Sequence, residues 1–230
     1  MMSRSLIDLQ DFIQNFQTVE DLEQAFTEIF ESDEESDENK RCRQGKHGRL
    51  FKLAGEELLP LIEWMKIRRP ACLGRVIDGN QPYDAEVTWS DAEQTERIEI
   101  GRGTNGQQEH LLNVYLSDHG EASGLSEYKR EGRGPNARVV VASGKSSTTS
   151  KKLMAETLKC LDQVAKKKSS KEYAKDTVLV LYSECMISFN EETQSELRNC
   201  AEEIIASYEW SVGQVDVLVR RNGLLFSAKF

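Results

Sequence analysis

An uninterrupted apolar run from Thr177 to Tyr182 constrains the fold of this chain more than any other feature. Such a run is typical of a β-strand that is buried on both of its faces. Helical periodicity precedes it, over residues 149–168, and follows it, over residues 197–208. Another apolar stretch then covers residues 215–219. Helices that alternate with buried strands indicate an α/β fold, with a mixed central β-sheet flanked by helices and with the last two strands as a parallel pair.

The N-terminal part of the chain has a different character. Two amphipathic helical patterns lie within residues 5–31, and an acidic block without any apolar residue follows at 31–38. Because like charges repel one another, such a block is typically an exposed linker. We therefore expect a helical N-terminal region with an acidic linker over residues 1–46, irregular and exposed from residue 31 onward, and an α/β domain over residues 47–230.

Charge and cysteine content limit the class of protein. The formal net charge of −9 argues against indiscriminate coating of nucleic acid, although charge can be local. The five cysteines contain no CxxC pair, which argues against a disulfide framework and favours a reducing compartment. No apolar stretch approaches the length of a membrane span, and an acidic residue interrupts the first apolar segment. We expect a cytoplasmic protein without a membrane partner.

Two carboxylates fall inside strand-like stretches in the middle of the chain. Asp84 lies in the run Pro82–Val87, and Glu99 lies in the run Arg97–Gly101 beyond a polar connection. A buried charge is costly unless it lies at a sheet end, is paired, or holds a metal. Two antiparallel strands would bring both carboxylates to one sheet edge as ligands for Mg²⁺ or Mn²⁺, which points to phosphodiester chemistry. The plainer alternative is two solvated carboxylates on an ordinary hairpin.

Two further motifs are weaker guides to function. Gly101–Gly106 has the GxGxxG spacing of dinucleotide-binding proteins, but no second apolar strand ending in an acid follows it. We interpret these glycines as a flexible turn, and a small-molecule enzyme using that turn is the weakest hypothesis. Lysines concentrate between residues 151 and 175, which indicates either a solvated helix face or non-specific contacts to phosphates.

The order of these parts resembles the PD-(D/E)xK nuclease superfamily, which has the restriction-endonuclease-like fold. A helix precedes the strand with Pro82-x-Asp84, the next strand carries Glu99-x-Gly101, and a basic amphipathic helix then leads to the buried strand. The resemblance covers roughly residues 50–220. It implies that the aspartate and the glutamate bind a divalent metal. It also implies that a lysine two residues beyond the glutamate helps to activate water or to stabilise the transition state.

The chain departs from the family pattern at the lysine position, which holds Gly101. Arg102 is adjacent, but alternation along the strand points it to the opposite face. A lysine from another element would have to substitute, and Lys145 and Lys152, near the start of the basic helix, are the candidates. Some family members have an additional acid on the preceding helix, and Glu57 matches that position.

These observations predict a metal-dependent nuclease, either an endonuclease or an exonuclease, or a degenerate nuclease-fold protein that acts on nucleic acid. The alternative is a non-catalytic protein-interaction module on the same scaffold, which would bind its partner through the N-terminal helices and the acidic segment. The choice between DNA and RNA and the oligomeric state stay open. With Mg²⁺ or Mn²⁺ as cofactor, the expected residues are Asp84, Glu99, Lys145 and Lys152 for catalysis, Asp84, Glu99 and Glu57 for the metal, and Arg102, Lys151 and Lys159 for nucleic-acid contact.

Overall fold

The structure, a computed structural model, describes residues 4–32, 46–89, 94–119, 126–134, 137–142, 149–185 and 188–230. The strands in these ranges are β1 (Cys72–Val76), β2 (Ala85–Trp89), β3 (Thr95–Gly103), β4 (Tyr128–Glu131), β5 (Arg138–Val141), β6 (Thr177–Ser183), β7 (Gln214–Val219) and β8 (Gly223–Lys229). The α-helices are α1 (Leu6–Ile13), α2 (Val19–Glu31), α3 (Gly48–Leu53), α4 (Leu59–Arg68), α5 (Gly106–His119), α6 (Ser150–Ser169) and α7 (Glu191–Ala206). A π-helical turn over Ala54–Leu58 joins α3 to α4.

Six of the strands form one mixed sheet, in the order β1-β2-β3-β6-β7-β8. The first three strands are antiparallel, β3, β6 and β7 are parallel, and β8 returns antiparallel to β7. This confirms the expected mixed sheet with flanking helices. The two apolar runs near the C-terminus are parallel neighbours inside the sheet, and every residue of β6 is buried, as its composition predicts.

Helices cover both faces of the sheet and produce two apolar cores. The first core lies between the four helices α1, α2, α3 and α4 and one face of the sheet. That face contributes Ile98, Ile100 and Val180. The second core joins α6 and α7 with the other face, which contributes Leu179 and Leu181. Between β3 and α6, the chain adds a small unit of α5, β4 and β5 with an apolar cluster of its own.

The N-terminal helices use their apolar faces inside the first core. Leu6, Leu9 and Ile13 of α1 are buried there, together with Leu22 and Ile29 of α2. The apolar faces of these two helices are therefore occupied within the molecule. Most of the acidic linker expected at 31–46 lies outside the described residues. No helix in the described ranges combines the length and the apolar character that crossing a membrane requires.

Two glycines allow α6 to pack closely on β3. A Cβ atom at Gly101 would lie 3.0 Å from Val164 Cγ2 and 2.9 Å from Leu181 Cδ2. A Cβ atom at Gly103 would lie 3.1 Å from the carbonyl oxygen of Cys160, a backbone atom that cannot easily move. Both glycines belong to β3, so the interpretation of the GxGxxG run as a flexible turn is wrong. The missing side chains instead set the distance between strand and helix.

Candidate active site

The structure brings Asp84 and Glu99 together on neighbouring strands. Asp84 immediately precedes β2, and the pairing of Ala85 with Ile98 places it opposite Glu99 of β3. The backbone N–H of Asp84 donates to the Ile98 carbonyl oxygen at 2.9 Å, and its Oδ2 accepts from the backbone N–H of Ile100 at 2.8 Å. Glu99 is only 5% exposed, so the alternative of two solvated carboxylates on a hairpin is wrong for this residue.

The cation at this site comes from the last turn of α6. Lys168 Nζ donates to Glu99 Oε1 at 2.5 Å and to the carbonyl oxygen of Ile100 at 2.8 Å. A Cβ atom at Gly101 would lie 3.3 Å from Lys168 Cε. The ammonium group therefore reaches the glutamate through space that a side chain at position 101 would enter. A lysine from another element does approach the acidic pair, as the sequence requires, but it is not one of the lysines that the sequence suggested.

A tyrosine completes the surroundings of Glu99. The hydroxyl group of Tyr173 donates to Glu99 Oε1 at 3.2 Å, and Lys171 Nζ lies 3.9 Å from the same oxygen. The backbone N–H of Tyr173 donates to Ser211 Oγ at 2.9 Å, which holds the tyrosine in position. Burial, reinforced by the Glu99 charge, raises the pKa of Tyr173 and so preserves the hydroxyl as a donor.

Each of the two carboxylates is anchored through one oxygen. The hydrogen bonds from Lys168 and Tyr173 to Glu99 both end on Oε1, and Asp84 accepts through Oδ2. Glu99 Oε2 and Asp84 Oδ1 accept no hydrogen bond from the residues that the structure describes. Carboxylates held in this way have a fixed orientation and keep one oxygen available for a ligand.

A third carboxylate faces the same space from the π-helical turn. Glu57 and Asp84 line one side of a cleft of about 430 Å³, and Gln163, Lys167 and Lys168 of α6 line the other; we call this space the cleft. Burial, reinforced by the Asp84 charge, raises the pKa of Glu57 to about 8. Burial and neighbouring carboxylates both favour the protonated form of a carboxyl group, and here they outweigh the opposing effect of Lys52.

The same physical causes act on Asp84. Burial raises its pKa first and the Glu99 carboxylate raises it further, against the opposing effects of the Ile100 N–H and Lys168. Within the described ranges, no cluster of three or more His, Cys, Asp or Glu side chains is arranged to hold a metal ion. Mg²⁺ commonly binds one or two carboxylates and keeps several of its waters. Two carboxylates, each with one available oxygen, fit that donor set.

Arg102, expected to contact nucleic acid, is instead surrounded by carboxylates. Its guanidinium group lies 2.6 Å from Glu184, 3.1 Å from Glu109 and 3.7 Å from Glu56. The side chain is 13% exposed. Its charge is therefore neutralised inside the protein, and none of these three partners was identified from the sequence.

Of the two lysines expected to substitute at position 101, Lys152 does not supply the cation. Lys152 lies in the first turn of α6 and donates to Glu127 Oε1 at 2.8 Å. It precedes Lys168 by sixteen positions, which corresponds to about 24 Å along the helix axis. Lys145 lies outside the described residues. Lys151 and Lys159 are exposed on α6, which leaves their expected contact with nucleic acid a prediction.

The direction of α6 explains which lysine reaches the site. Cys160 packs beside Gly103, whereas Val164 and Lys168 pack beside Gly101, so α6 runs antiparallel to β3. A helix that connects two parallel strands must return in this way. Its C-terminal end, and not its start, therefore lies near Glu99. This signal was available in the predicted order of elements.

Comparisons of the chain with protein-family models, with curated proteins and with solved structures gave no match. The geometry of the acidic pair and its lysine therefore carries the functional argument. Asp84 lines the cleft and lies opposite Glu99 of the neighbouring strand, and Lys168 is bonded to Glu99.

Proposed function

We propose that this protein is a metal-dependent nuclease with a restriction-endonuclease-like fold, which hydrolyses phosphodiester bonds in the cleft. One observation carries the proposal. Asp84 and Glu99 are each anchored through one oxygen beside a buried lysine ammonium group, and their other oxygens accept no hydrogen bond from described residues. Two carboxylates with a lysine at such close range form the set of groups that the resemblance to the PD-(D/E)xK superfamily implies.

The order of elements supports the same proposal. A helix precedes three antiparallel strands, a basic helix follows them, and the chain then adds a strand parallel to the third. Asp84 immediately precedes the second strand, and Glu99 lies within the third. The small unit of α5, β4 and β5 is an insertion between the third strand and the basic helix.

Asp84 and Glu99 would hold the divalent ion, with Glu57 as a further carboxylate that lines the same cleft as Asp84. When bound, Mg²⁺ or Mn²⁺ polarises the phosphate and lowers the pKa of a coordinated water. The carboxylate pair fits such an ion because its oxygens are hard ligands. Burial, reinforced by the Glu99 charge, raises the pKa of Asp84, and a bound cation would oppose both effects.

The protein's own groups have distinct tasks in this proposal. Lys168 holds Glu99 in place and presents a positive charge at the cleft wall, where negative charge develops on the phosphate oxygens during hydrolysis. Tyr173 orients Glu99 through the oxygen that faces away from the ligand. The backbone N–H of Ile100 does the same for Asp84. The site is therefore organised before the substrate arrives, which is the main source of electrostatic catalysis.

The proposal is tested by incubating the protein with labelled DNA and RNA, single-stranded and duplex, in Mg²⁺, in Mn²⁺ and in EDTA. We expect cleavage that requires the metal and is lost in Asp84→Asn and in Glu99→Gln. Glu96→Gln is the matched control, because Glu96 is a carboxylate on the same strand that pairs with Arg69 at 2.7 Å. Cleavage that survives Asp84→Asn, or a wild-type protein that cleaves none of these substrates, would contradict the proposal.

A further inference from the structure

We infer that the phosphate backbone of a nucleic acid reaches the cleft across the C-terminal end of α6. The binding surface consists of Lys166, Lys167, Lys171 and Lys175, which we call the lysine surface. All four residues are exposed. This inference rests on the proposed function for its choice of partner, and it goes further because it assigns the direction from which that partner approaches.

The lysine surface carries positive charge that the protein leaves largely uncompensated. Three of the four lysines form no ion pair with the described residues, namely Lys166, Lys167 and Lys175. Lys171 Nζ lies 3.9 Å from Glu99 Oε1, an atom that is already bonded to Lys168. The acidic side chains in this segment are Glu172 and Asp176, and Asp176 lies 3.2 Å from Arg97.

The lysine surface is continuous with the cleft. Lys167 lines the cleft itself, and Lys171 lies two residues beyond the C-terminal residue of α6, Ser169. A phosphate bound beside Lys167 would therefore lie next to Asp84 and Lys168, which line the same cleft. Phosphate contacts of this kind supply much of the affinity of nucleic-acid-binding proteins and fix the register of the bound strand.

The opposite end of α6 has the opposite charge. A second cavity of about 250 Å³ shares Arg102, Gly103 and Cys160 with the cleft and extends toward the start of the helix; we call it the acidic cavity. Its carboxylates outnumber its cations, and the cations are already paired, Arg102 with Glu184 and Lys152 with Glu127. The carboxylates that line the acidic cavity are Glu109, Glu127, Glu156 and Glu184.

These two ends make the combined groove electrostatically asymmetric. Unpaired lysines favour phosphates at one end, and the carboxylates of the acidic cavity repel them at the other. The basic tract between residues 151 and 175 therefore divides into two halves with different roles. Lys151 and Lys159, for which the sequence predicts nucleic-acid contact, belong to the half beside the acidic cavity. We assign the binding of nucleic acid to the lysine surface in their place.

The test measures binding without cleavage. Fluorescence anisotropy is recorded for a labelled DNA duplex and a labelled RNA of the same sequence in EDTA, over a series of salt concentrations. We expect Lys167→Gln/Lys171→Gln to weaken binding of the preferred nucleic acid about tenfold at low salt, and to reduce the slope of log K against log salt by about 1 to 2. Lys151→Gln/Lys159→Gln removes the same amount of charge, from the N-terminal half of α6, and we expect it to match the wild type.

The outcomes separate this inference from the proposed function. Equal losses in the two double variants, an unchanged Lys167→Gln/Lys171→Gln protein, or a wild type that binds neither probe would overturn the inference. Binding that depends on the lysine surface, together with a failure to cleave in Mg²⁺ or Mn²⁺, would support the inference and contradict hydrolysis. Metal-dependent cleavage, together with binding that is unchanged when these lysines are replaced, would support hydrolysis and contradict the inference. Thermal melting of each variant verifies that the exposed substitutions leave the fold intact.

Discussion

Lys168 Nζ lies 2.5 Å from Glu99 Oε1, although 69 positions separate the two residues in the chain. Both side chains are nearly buried, at 11% and 7% exposure. The absence of a side chain at Gly101 leaves room for this contact, because a Cβ atom there would lie 3.3 Å from Lys168 Cε. Gly101, at the position where the sequence resemblance implies a lysine, and Lys168, which supplies the cation beside Glu99, are therefore parts of one arrangement.

Replacing Lys168 should lower the rate of cleavage in a protein that still folds. We expect Lys168→Met to lower the cleavage rate by about 10²–10³, the usual effect of removing one group that stabilises transition-state charge. Lys159→Met, an exposed lysine on the same helix, should cleave at the wild-type rate. Single-turnover rates measured at saturating protein provide the comparison. A folded Lys168→Met protein that cleaves as fast as the wild type would refute the role assigned to this lysine.

The same substitution should also change stability in the absence of metal. Removing the ammonium group leaves the Glu99 carboxylate buried without its closest cation, which typically costs roughly 3 kcal/mol. The double variant Lys168→Met/Glu99→Gln removes the unpaired charge and should recover most of that loss. Urea unfolding in EDTA measures both effects, and a double variant no more stable than Lys168→Met would argue against a charge-based cause.

Adding one methyl group at Gly101 or Gly103 should destabilise the protein through overpacking. We expect Gly101→Ala and Gly103→Ala each to lower the free energy of unfolding by about 1–3 kcal/mol, because α6 and β3 would have to move apart. At Gly106, no atom lies within 4 Å of the added Cβ, so Gly106→Ala is the control and should have little effect. Equal effects at Gly101 and Gly106 would show that the close helix–strand contact is unimportant.

The elements that depend on local pattern could be predicted from the sequence. The apolar runs of β6 and β7 indicated adjacent parallel strands, and the hairpin of β2 and β3 placed Asp84 opposite Glu99. Lys168 was missed because its role arises from tertiary packing. A crossover helix returns antiparallel to its strands, so the C-terminal end of α6 is the end that lies near Glu99. The lysines predicted from the sequence, Lys145 and Lys152, lie near the start of that helix instead.

Arg102 illustrates a second limit of the sequence. Alternation along β3 correctly separates it from Glu99, yet its partners Glu109 and Glu184 come from α5 and from the residue after β6. Opposite charges that meet only in the folded chain leave no periodic signal. A surface-exposed arginine and an arginine neutralised by three carboxylates therefore look identical in the sequence.

Glu57 should make the stability of the metal-free protein depend on pH. Its pKa rises from an ordinary 4.5 to about 8 in the folded protein, so the unfolded chain loses this proton first. The free energy of unfolding therefore falls as pH rises between these two values and is constant above them, as far as Glu57 contributes. Glu57→Gln should gain stability relative to the wild type across that window. Urea unfolding in EDTA at several pH values measures the difference, and a difference that grows toward low pH would have the wrong sign.

A buried aspartate away from the cleft should dominate the stability of the C-terminal strands. Asp216 is completely buried, and it accepts from Trp64 Nε1 at 2.7 Å, from Ser227 Oγ at 2.6 Å and from Gln214 Nε2 at 2.8 Å. Arg68 Nε lies 3.3 Å from its Oδ2. We expect Asp216→Ala to cost about 3–5 kcal/mol, because it leaves these buried donors without an acceptor.

An exposed ion pair is the control for that prediction. Asp176 lies 3.2 Å from Arg97, and both side chains are about half exposed. Asp176→Ala should therefore change the free energy of unfolding by no more than about 1 kcal/mol. Chemical unfolding of the two variants under the same conditions provides the comparison, and similar losses in both would contradict the importance of burial.

Binding of Mn²⁺ measured by electron paramagnetic resonance tests the central claim most directly, because it detects the ion without requiring a substrate. The wild type and Glu96→Gln should both show a saturable Mn²⁺ site, and ion binding should raise their melting temperatures by mass action. Asp84→Asn and Glu99→Gln should each lose the site while remaining folded, since each removes a ligand and a mutually repelling charge. A wild-type protein that binds no Mn²⁺ at millimolar concentration would contradict the account. Asp84→Asn and Glu99→Gln variants that both bind Mn²⁺ as well as the wild type would also contradict it.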